Sequence, residues 1–182
     1  MIDLDEIVLR TLEPNDADAL YRFKNDWEST RSLGGFSYGM SSEDIRRWIA
    51  AHTNRAEEIF WSIAVKATNI CIGHVALYNV DSRVRKAEFG ILIGDRGWWN
   101  KGLGSRITAA VLAWGFEQAN LHRIHLDVLA TNQRAIAVYE KLGFCREGLL
   151  RDYEFRDGVF LDVIVMSLLC EEWRAVRSKR NL

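Results

Sequence analysis

The sequence predicts an α/β fold with a mixed sheet in a single domain. Strand-like and helix-like segments follow one another in the order β-α-α-β-β-β-α-β-α-β-β. A glycine-rich loop joins an apolar strand pattern directly to a helical pattern, and the chain closes with a long predicted hairpin. For 182 residues we expect one domain, with its core at about residues 7–169 and a basic, solvated tail at 170–182.

Hydrophobic periodicity and turn residues define each element in order. Asn132 is expected to cap the helix that follows it, Gly143 to end that helix, and Asp157-Gly158 to form a two-residue hairpin turn. The predicted elements are a strand at 7–11, a helix from Asn15 or Asp16 to about 27, a loop at 29–40, a helix starting at 41–44, strands at 61–65, 70–78 and 87–93, a helix of about four turns from 103, a strand at 124–128, a helix at 132–142, and strands at 144–155 and 159–169.

Composition and charge exclude several classes of protein. Hydrophobic residues make up 48% and charged residues 27%, which is typical of a soluble globular domain. The net charge of −1 gives no electrostatic reason to expect nucleic acid as a partner. No apolar run is long enough to span a bilayer, and the acidic N-terminus lacks the pattern of a signal peptide. We therefore expect no membrane partner and a cytoplasmic location.

The three cysteines predict neither a disulfide framework nor a metal site. Cys71, Cys145 and Cys170 have no close spacing, and no Cys/His ligand pattern is present. Cys71 and Cys170 lie in apolar runs and are expected to be small buried hydrophobic residues.

The most informative segment is the glycine-rich loop Trp99-Asn100-Lys101-Gly102-Leu103-Gly104-Ser105. Small residues at 102 and 104 let the backbone amides of a helix start approach a phosphate, where the helix dipole also favours an anion. A dinucleotide-binding loop would have a third glycine where Ile107 stands, and a Walker loop would have its lysine after the glycine. A tight strand-to-helix connection without a ligand is the structural alternative.

A second segment, Asn132-Gln-Arg-Ala-Ile-Ala-Val-Tyr-Glu-Lys-Leu-Gly-Phe144, follows about 28 residues later. The two segments, in this order and spacing, resemble the GNAT superfamily of acyl-CoA N-acyltransferases over almost the whole chain. Ala87-Glu-Phe-Gly90, and Trp99 where the family usually has Gln or Arg, resemble the RimJ/RimL-type branch. The resemblance implies the GNAT fold, a mixed and mostly antiparallel central sheet flanked by helices, with acetyl-CoA as co-substrate and no metal.

The resemblance also implies which residues bind coenzyme A. The loop would cradle the pyrophosphate, and the asparagine at the next helix start would meet the pantetheine arm. Backbone amides near the end of the preceding strand would bind pantetheine and polarise the thioester carbonyl. The implied cofactor-binding residues are Leu92, Ile93, Trp99, Asn100, Lys101, Gly102, Leu103, Gly104, Ser105, Asn132 and Arg134.

Two residues are implied to carry the proton transfers. Tyr139 matches the family tyrosine that points at the coenzyme A sulfur, and a phenol with a pKa of about 10 is a suitable acid for a departing thiolate. Glu88 lies where related enzymes often have a carboxylate base that acts through water. A packed, buried tyrosine ring and a structural acid at a strand start are the alternatives.

The acceptor site of the family is built from the first helix-loop-helix and the loop between the last two strands. Aromatic side chains mixed with acids would suit a cation or a polar amine, although any exposed hairpin carries such residues. Arg31 would equally recognise a carboxylate or a phosphate. The implied acceptor-binding residues are Glu28, Arg31, Phe36, Tyr38 and Tyr153, with Asp152 and Phe155 on the same side as Tyr153.

The implied activity is acetyl-CoA-dependent N-acetylation by direct attack of a neutral primary amine in a ternary complex. The amine would belong to a protein N-terminus, a polyamine, an amino sugar or another small molecule, and the enzyme would be a monomer or a homodimer. The alternative from another class is a non-catalytic acyl-CoA-binding sensor module, which would not require Tyr139 or Glu88.

Overall fold

A computed structural model describes residues 1–33, 39–53 and 57–180, without the side chains of residues 179 and 180. Within these residues, eight strands form one sheet at the centre of the molecule. The strands are β1 (Ile2–Leu4), β2 (Ile7–Arg10), β3 (Ile59–Val65), β4 (Cys71–Asp81), β5 (Lys86–Ile93), β6 (Arg123–Leu129), β7 (Cys145–Arg156) and β8 (Val159–Leu169).

Six α-helices in the described part of the chain flank this sheet. Two of them start with the caps that their sequences encode, because Ser41 accepts the N–H of Asp44 and Asn132 accepts the N–H of Ala135. The helices are α1 (Ala17–Asn25), α2 (Trp27–Thr30), α3 (Ser42–Ala51), α4 (Leu103–Glu117), α5 (Gln133–Lys141) and α6 (Cys170–Arg180).

The sheet is antiparallel except at its centre, as predicted. Its strand order is β1-β2-β3-β4-β5-β6-β8-β7, and β5 runs parallel to β6. Their pairing is short and ends where Glu88 lies beside His125. Beyond that point, in the described chain, β5 continues to pair with β4 alone and β6 with β8 alone. The two central strands therefore separate within the sheet.

The two faces of the sheet carry different helical layers. Helices α4, α5 and α6 share the main core with one face, and α1 and α3 form a second core on the other. Side chains alternate along β5, so Phe89 points to the first layer, where its ring meets Tyr139 edge to face at 6.2 Å. Glu88 points to the opposite face. The gap between β5 and β6 thus joins two chemically different sides of the sheet.

The N-terminal segment departs from the sequence prediction in three places. The short strand β1 was not predicted, because three residues are too few to show a pattern. Asp16 precedes α1 without capping it, since its carboxylate accepts the Glu13 N–H and pairs with Arg10 at 2.8 Å. The chain is extended at Asp26, so the predicted helix to residue 27 is divided into α1 and α2.

The prediction of a solvated tail after residue 169 is wrong for its described part. Residues 170–180 form α6, and Trp173 is only 2% exposed within the main core, stacked near Phe116. Gly143, at the end of α5, has φ +99°, and an ideal Cβ there would lie 2.7 Å from Val176 of this helix. Arg174 and Arg177 are exposed on the outer face of this packed helix.

Candidate active site

A cavity of about 1060 Å³ opens where β5 and β6 separate. Residues from both faces of the sheet line it, including Gly90 from one face and Phe89 from the other. The cavity therefore connects the two helical layers. The residues predicted from the sequence that line it are Glu28, Arg31, Glu88, Leu92, Ile93, Trp99, Asn100, Gly102, Leu103, Gly104, Ser105, Asn132, Arg134, Tyr139 and Tyr153.

The other predicted site residues either lie outside the described residues or do not line this cavity, as is the case for Asp152 and Phe155. Phe36 and Tyr38 lie outside the described residues. Lys101 does not line the cavity, and its Nζ lies 5.7 Å from the ring centroid of Trp98. Because the lysine side chain is directed over that ring, a contact between Lys101 and a cofactor would have to come from its backbone.

The N-terminus of α4 faces the cavity without a side-chain cap. Gly102, at the cap position, has φ +73°, a conformation that glycine adopts at little cost. An ideal Cβ on Gly104 would meet one atom within 4 Å, the Ile93 Cδ1 at 3.8 Å. The first amides of a helix have no acceptor one turn earlier. This corner therefore presents open backbone donors to an anion.

Trp99 fixes the glycine-rich loop to the end of β5. Its indole Nε1–H donates to the Ile93 carbonyl at 2.7 Å. The guanidinium of Arg134 lies 5.5 Å from the Trp99 ring centroid and donates to Asn100 Oδ1 at 3.2 Å. These contacts join the loop, β5 and the start of α5 around one corner of the cavity. They give Trp99 a structural role at the position where Gln or Arg is usual.

Both polar atoms of the Asn132 side-chain amide form hydrogen bonds within the protein. Its Oδ1 accepts the Ala135 N–H at 3.2 Å, and its Nδ2 donates to the Ser32 carbonyl at 3.1 Å. The side chain thus caps α5 and ties it to the segment after α2. A contact of Asn132 with a pantetheine arm would use its backbone or replace the bond to Ser32.

Tyr139 lies on the inner face of α5 and lines the cavity, with 9% of its surface exposed. Its ring packs between Phe89 and Phe144, at centroid distances of 6.2 and 5.6 Å. Burial raises the pKa of its phenol to about 12. The hydroxyl therefore keeps its proton at neutral pH and is available as a donor, although it is a weaker acid than an exposed phenol.

Glu88 has neighbours that the sequence analysis did not single out. Asn79 Nδ2 donates to Glu88 Oε2 at 2.9 Å. Burial, together with the nearby Glu88 carboxylate, raises the pKa of the Tyr78 phenol. Partial burial and the charge of Glu88 raise the pKa of the Asp127 carboxyl. The signal that could have found Tyr78 is its register, since it lies directly opposite Glu88 on the neighbouring strand. Acidic groups are therefore concentrated on this side of the gap.

The part of the cavity that the sequence predicts to bind the acceptor combines α2 with the β7–β8 hairpin. Glu28 and Arg31 form an exposed ion pair at 3.3 Å, and Tyr153 is 59% exposed. Arg156 of β7 donates to the backbone carbonyls of Thr30, Arg31 and Leu33. This arginine, which the sequence analysis did not predict, fixes the segment after α2 against the hairpin.

A cluster of aromatic and basic side chains lies behind the far wall of the cavity. Trp48 packs edge-on against His74 at 5.3 Å, and the Lys24 ammonium lies 4.1 Å from the Trp48 ring centroid. Burial lowers the pKa of Lys24 to about 8, and burial also lowers the pKa of His74 well below its ordinary value. His74 lines the cavity as a neutral ring.

Comparisons with known proteins decide the family. Residues 6–145 match the family model described as an acetyltransferase (GNAT) domain. The chain belongs to the GNAT acetyltransferase family. An uncharacterised N-acetyltransferase of Bacillus licheniformis, p20, is 33% identical over 93% of this chain and 96% of that protein. A putative ribosomal N-acetyltransferase of Bacillus subtilis, YdaF, is 28% identical over 93% of this chain and 94% of its own length.

A solved structure agrees with these sequence relatives. The crystal structure of spermidine N-acetyltransferase from Vibrio cholerae in complex with CoA and spermine is similar with a TM-score of 0.86 and 26% identity, covering 94% of this chain and 99% of that chain. The GNAT fold predicted from the sequence is thereby confirmed. As a GNAT protein the chain is an N-acetyltransferase, an enzyme rather than a sensor module, and GNAT acetyltransferases use acetyl-CoA.

No group of three or more His, Cys, Asp or Glu side chains in the described part of the chain is placed to hold a metal ion. None of the helices formed by the described residues has the length and apolar character needed to cross a bilayer.

Proposed function

We propose that this GNAT protein transfers the acetyl group of acetyl-CoA directly to a primary amine of a small cationic molecule. The observation that supports this most strongly is the gap between β5 and β6, which opens one cavity to both faces of the sheet. Tyr139 reaches the cavity from one face and Glu88 from the other. A thioester in the gap would meet a proton donor on one side and a carboxylate on the other.

The α4 N-terminus fits the pyrophosphate of acetyl-CoA. The backbone around Gly102, Gly104 and Ser105 would hold it, because the space at Gly104 that a Cβ would fill is open and no side chain caps the helix. The edge of β5 that faces the gap, including Leu92 and Ile93, has no strand partner among the described residues. Its amides would orient the thioester carbonyl. Acetyl-CoA, when bound, supplies the activated acyl group.

Charge on the acceptor side favours a cationic acceptor. Glu88, Asp127 and Glu154 line the cavity, and the raised pKa of Asp127 reflects in part its repulsion from Glu88. A bound ammonium would relieve that repulsion. Glu88 would then accept the proton that the amine must lose before it attacks, and Tyr139 would donate its proton to the departing thiolate.

Among the acceptor classes considered, we favour a polyamine over an amino sugar or a protein N-terminus. The carboxylates of the cavity support this choice, and the similar Vibrio cholerae protein is a spermidine N-acetyltransferase. The assignment to the RimJ/RimL-type branch remains a prediction, which rests on Ala87-Glu-Phe-Gly90 and on Trp99. A cytoplasmic location and a monomeric or homodimeric state likewise remain predictions.

Thiol release from acetyl-CoA with a panel of amines tests the proposed acceptor. The panel contains spermidine, putrescine, glucosamine and a peptide with a free N-terminus, and we expect the highest kcat/KM with the di- and polyamines. An amino alcohol of similar length, which has one positive charge fewer than the diamine at neutral pH, serves as the control for charge. Preference for the peptide or for the sugar would contradict the proposal.

Glu88→Gln tests the base. We expect the largest loss of rate near neutral pH, where the amine is protonated, and substantial rescue as the pH approaches the pKa of the amine itself. If the pH–rate profile of the Gln variant runs parallel to that of the parent, Glu88 is not the base. In that case either a water deprotonated by other groups removes the proton, or the amine is taken in its neutral form directly from solution.

A further inference from the structure

Strand β4 changes its register beside the proposed base. It pairs regularly with β5 up to Tyr78, which lies opposite Glu88, and the next pair joins Asp81 to Lys86. Between them Asn79 has φ +52°, in the left-handed region. In a regular strand Tyr78 and Asn79 would point to opposite faces, and a bulge of this kind re-aims one of the two side chains.

The bulge brings two consecutive side chains to one carboxylate. Asn79 Nδ2 donates to Glu88 Oε2 at 2.9 Å, and Tyr78 lies directly opposite Glu88 in the register of the two strands. Burial raises the pKa of the Tyr78 phenol, and the charge of Glu88 raises it further. The phenol therefore stays protonated and can only donate to an ionised carboxylate.

A glycine on β5 makes room for this arrangement. An ideal Cβ on Gly90 would lie 2.8 Å from the Tyr78 hydroxyl oxygen and 2.9 Å from its Cε1. The phenol ring thus covers Gly90, in space that any other residue at that position would fill. The bulge, the glycine and the two donors all favour the same position of Glu88.

We propose that Tyr78 and Asn79 are positioning residues that hold the Glu88 carboxylate toward the acceptor amine. This Glu88 clamp, formed by Tyr78 and Asn79, rests on the proposed function, in which Glu88 accepts the amine proton. A carboxylate has more acceptor positions than the Asn79 amide and, in this proposal, the Tyr78 hydroxyl would occupy, so one remains for that proton. The proton moves from the amine nitrogen to a Glu88 oxygen while both clamp donors stay in place.

Other groups that face Glu88 also affect its pH response. His125 pairs with it in register on β6, and Asp127 lies two residues further along that strand. Asp127→Asn, which removes the nearby carboxylate, is therefore measured alongside the clamp variants. Asp127→Asn removes a negative charge that repels the Glu88 carboxylate, so the acidic limb of the pH–rate profile should move to lower pH. The clamp variants remove hydrogen-bond donors to that carboxylate, so they should move the limb to higher pH.

Two single variants test the clamp independently. Tyr78→Phe keeps the ring over Gly90 and removes the hydroxyl, and Asn79→Gly tolerates the positive φ and removes the amide. Each is expected to lower kcat about ten- to a hundredfold, the range expected for one hydrogen bond to a charged group. The acidic limb of the pH–rate profile should move to higher pH, while acetyl-CoA affinity stays unchanged. Tyr21→Phe, which alters an exposed phenol on α1, is the control.

A double-mutant cycle separates the clamp from a general structural role. In a Glu88→Gln background, Tyr78→Phe and Asn79→Gly should lower kcat little further, because both act through the carboxylate that Glu88→Gln has already removed. Losses that multiply with that of Glu88→Gln, or an unmoved acidic limb in both variants, would overturn the clamp while leaving Glu88 as the base. A Glu88→Gln enzyme with a full rate would instead overturn the base and the clamp together.

Discussion

Gly104 is the position where a single added methyl group should have opposite effects on folding and on cofactor binding. It lies in the first turn of α4 and lines the cavity. The nearest atom to an ideal Cβ in the protein is Ile93 Cδ1 at 3.8 Å, an ordinary van der Waals contact. The folded protein therefore has room for alanine. The space that the methyl group would occupy is the space proposed for the pyrophosphate.

The magnitudes follow from this geometry. Gly104→Ala should stabilise the fold by about 0.5–1 kcal/mol, the usual difference between the two residues within a helix. For a domain of this size that corresponds to a rise in Tm of about 1–4 °C. If the methyl group breaks one charge-assisted hydrogen bond to the phosphate, about 1.5–3 kcal/mol of binding is lost. The acetyl-CoA Kd would then rise roughly ten- to a hundredfold, and more for Gly104→Val.

Calorimetric titration with acetyl-CoA and a thermal melt of the same samples measure both effects. Gly148→Ala on β7 is the matched control, because an ideal Cβ there meets nothing within 4 Å and the residue does not line the cavity. It should raise Tm by a similar amount while leaving the acetyl-CoA Kd unchanged, so that only Gly104→Ala weakens binding. A folded Gly104→Val protein that binds acetyl-CoA as tightly as the parent would refute the proposed pyrophosphate site.

Two further predictions concern Tyr139 and Lys24. Tyr139→Phe should lower kcat by about two to four powers of ten, because the proton donor is lost. The affinity for acetyl-CoA should be kept, because the ring retains its packing on Phe89. A full single-turnover rate in this variant would show that Tyr139 is structural. Burial lowers the pKa of Lys24 to about 8 from 10.5, so between these values the unfolded chain binds more protons and stability should rise with pH. Lys24→Met should abolish that rise in stability and stabilise the protein at pH 7 by at most about 3 kcal/mol. Urea melts at pH 7 and pH 10 measure the effect. The same rise in the parent and in the variant would contradict the prediction.

Local signals in the sequence predicted most of the fold. The Asn132 cap, the end of α5 at Gly143 and the hairpin turn at Asp157-Gly158 are confirmed, the last with φ values of +51° and +79°. Each of these features depends on residues within one turn of chain, where residue type and backbone conformation are directly linked. Most predicted site residues also line one cavity, because both motifs flank the gap between β5 and β6.

Features that depend on tertiary contacts could not be predicted in the same way. Trp173 lies among basic residues that suggest a tail, and its burial depends on a surface formed by other elements. The position of Asn79 beside Glu88 depends on a bulge, for which the local sequence carries no distinct pattern. Arg156 reaches carbonyls more than 120 residues away in the chain. Such contacts follow from the arrangement of strands, which periodicity alone does not specify.

The contacts of Arg156 have a consequence for redesigning this enzyme. The Arg156 guanidinium donates to the carbonyls of Thr30, Arg31 and Leu33. It is carried by β7, the edge strand beside β8. These hydrogen bonds therefore tie the end of α2 and the residues that follow it to the tip of the β7–β8 hairpin. Grafting the α2 segment onto another scaffold should fail to reproduce its shape unless the arginine-bearing hairpin is transplanted with it. Selection for a new acceptor would be expected to alter both segments together.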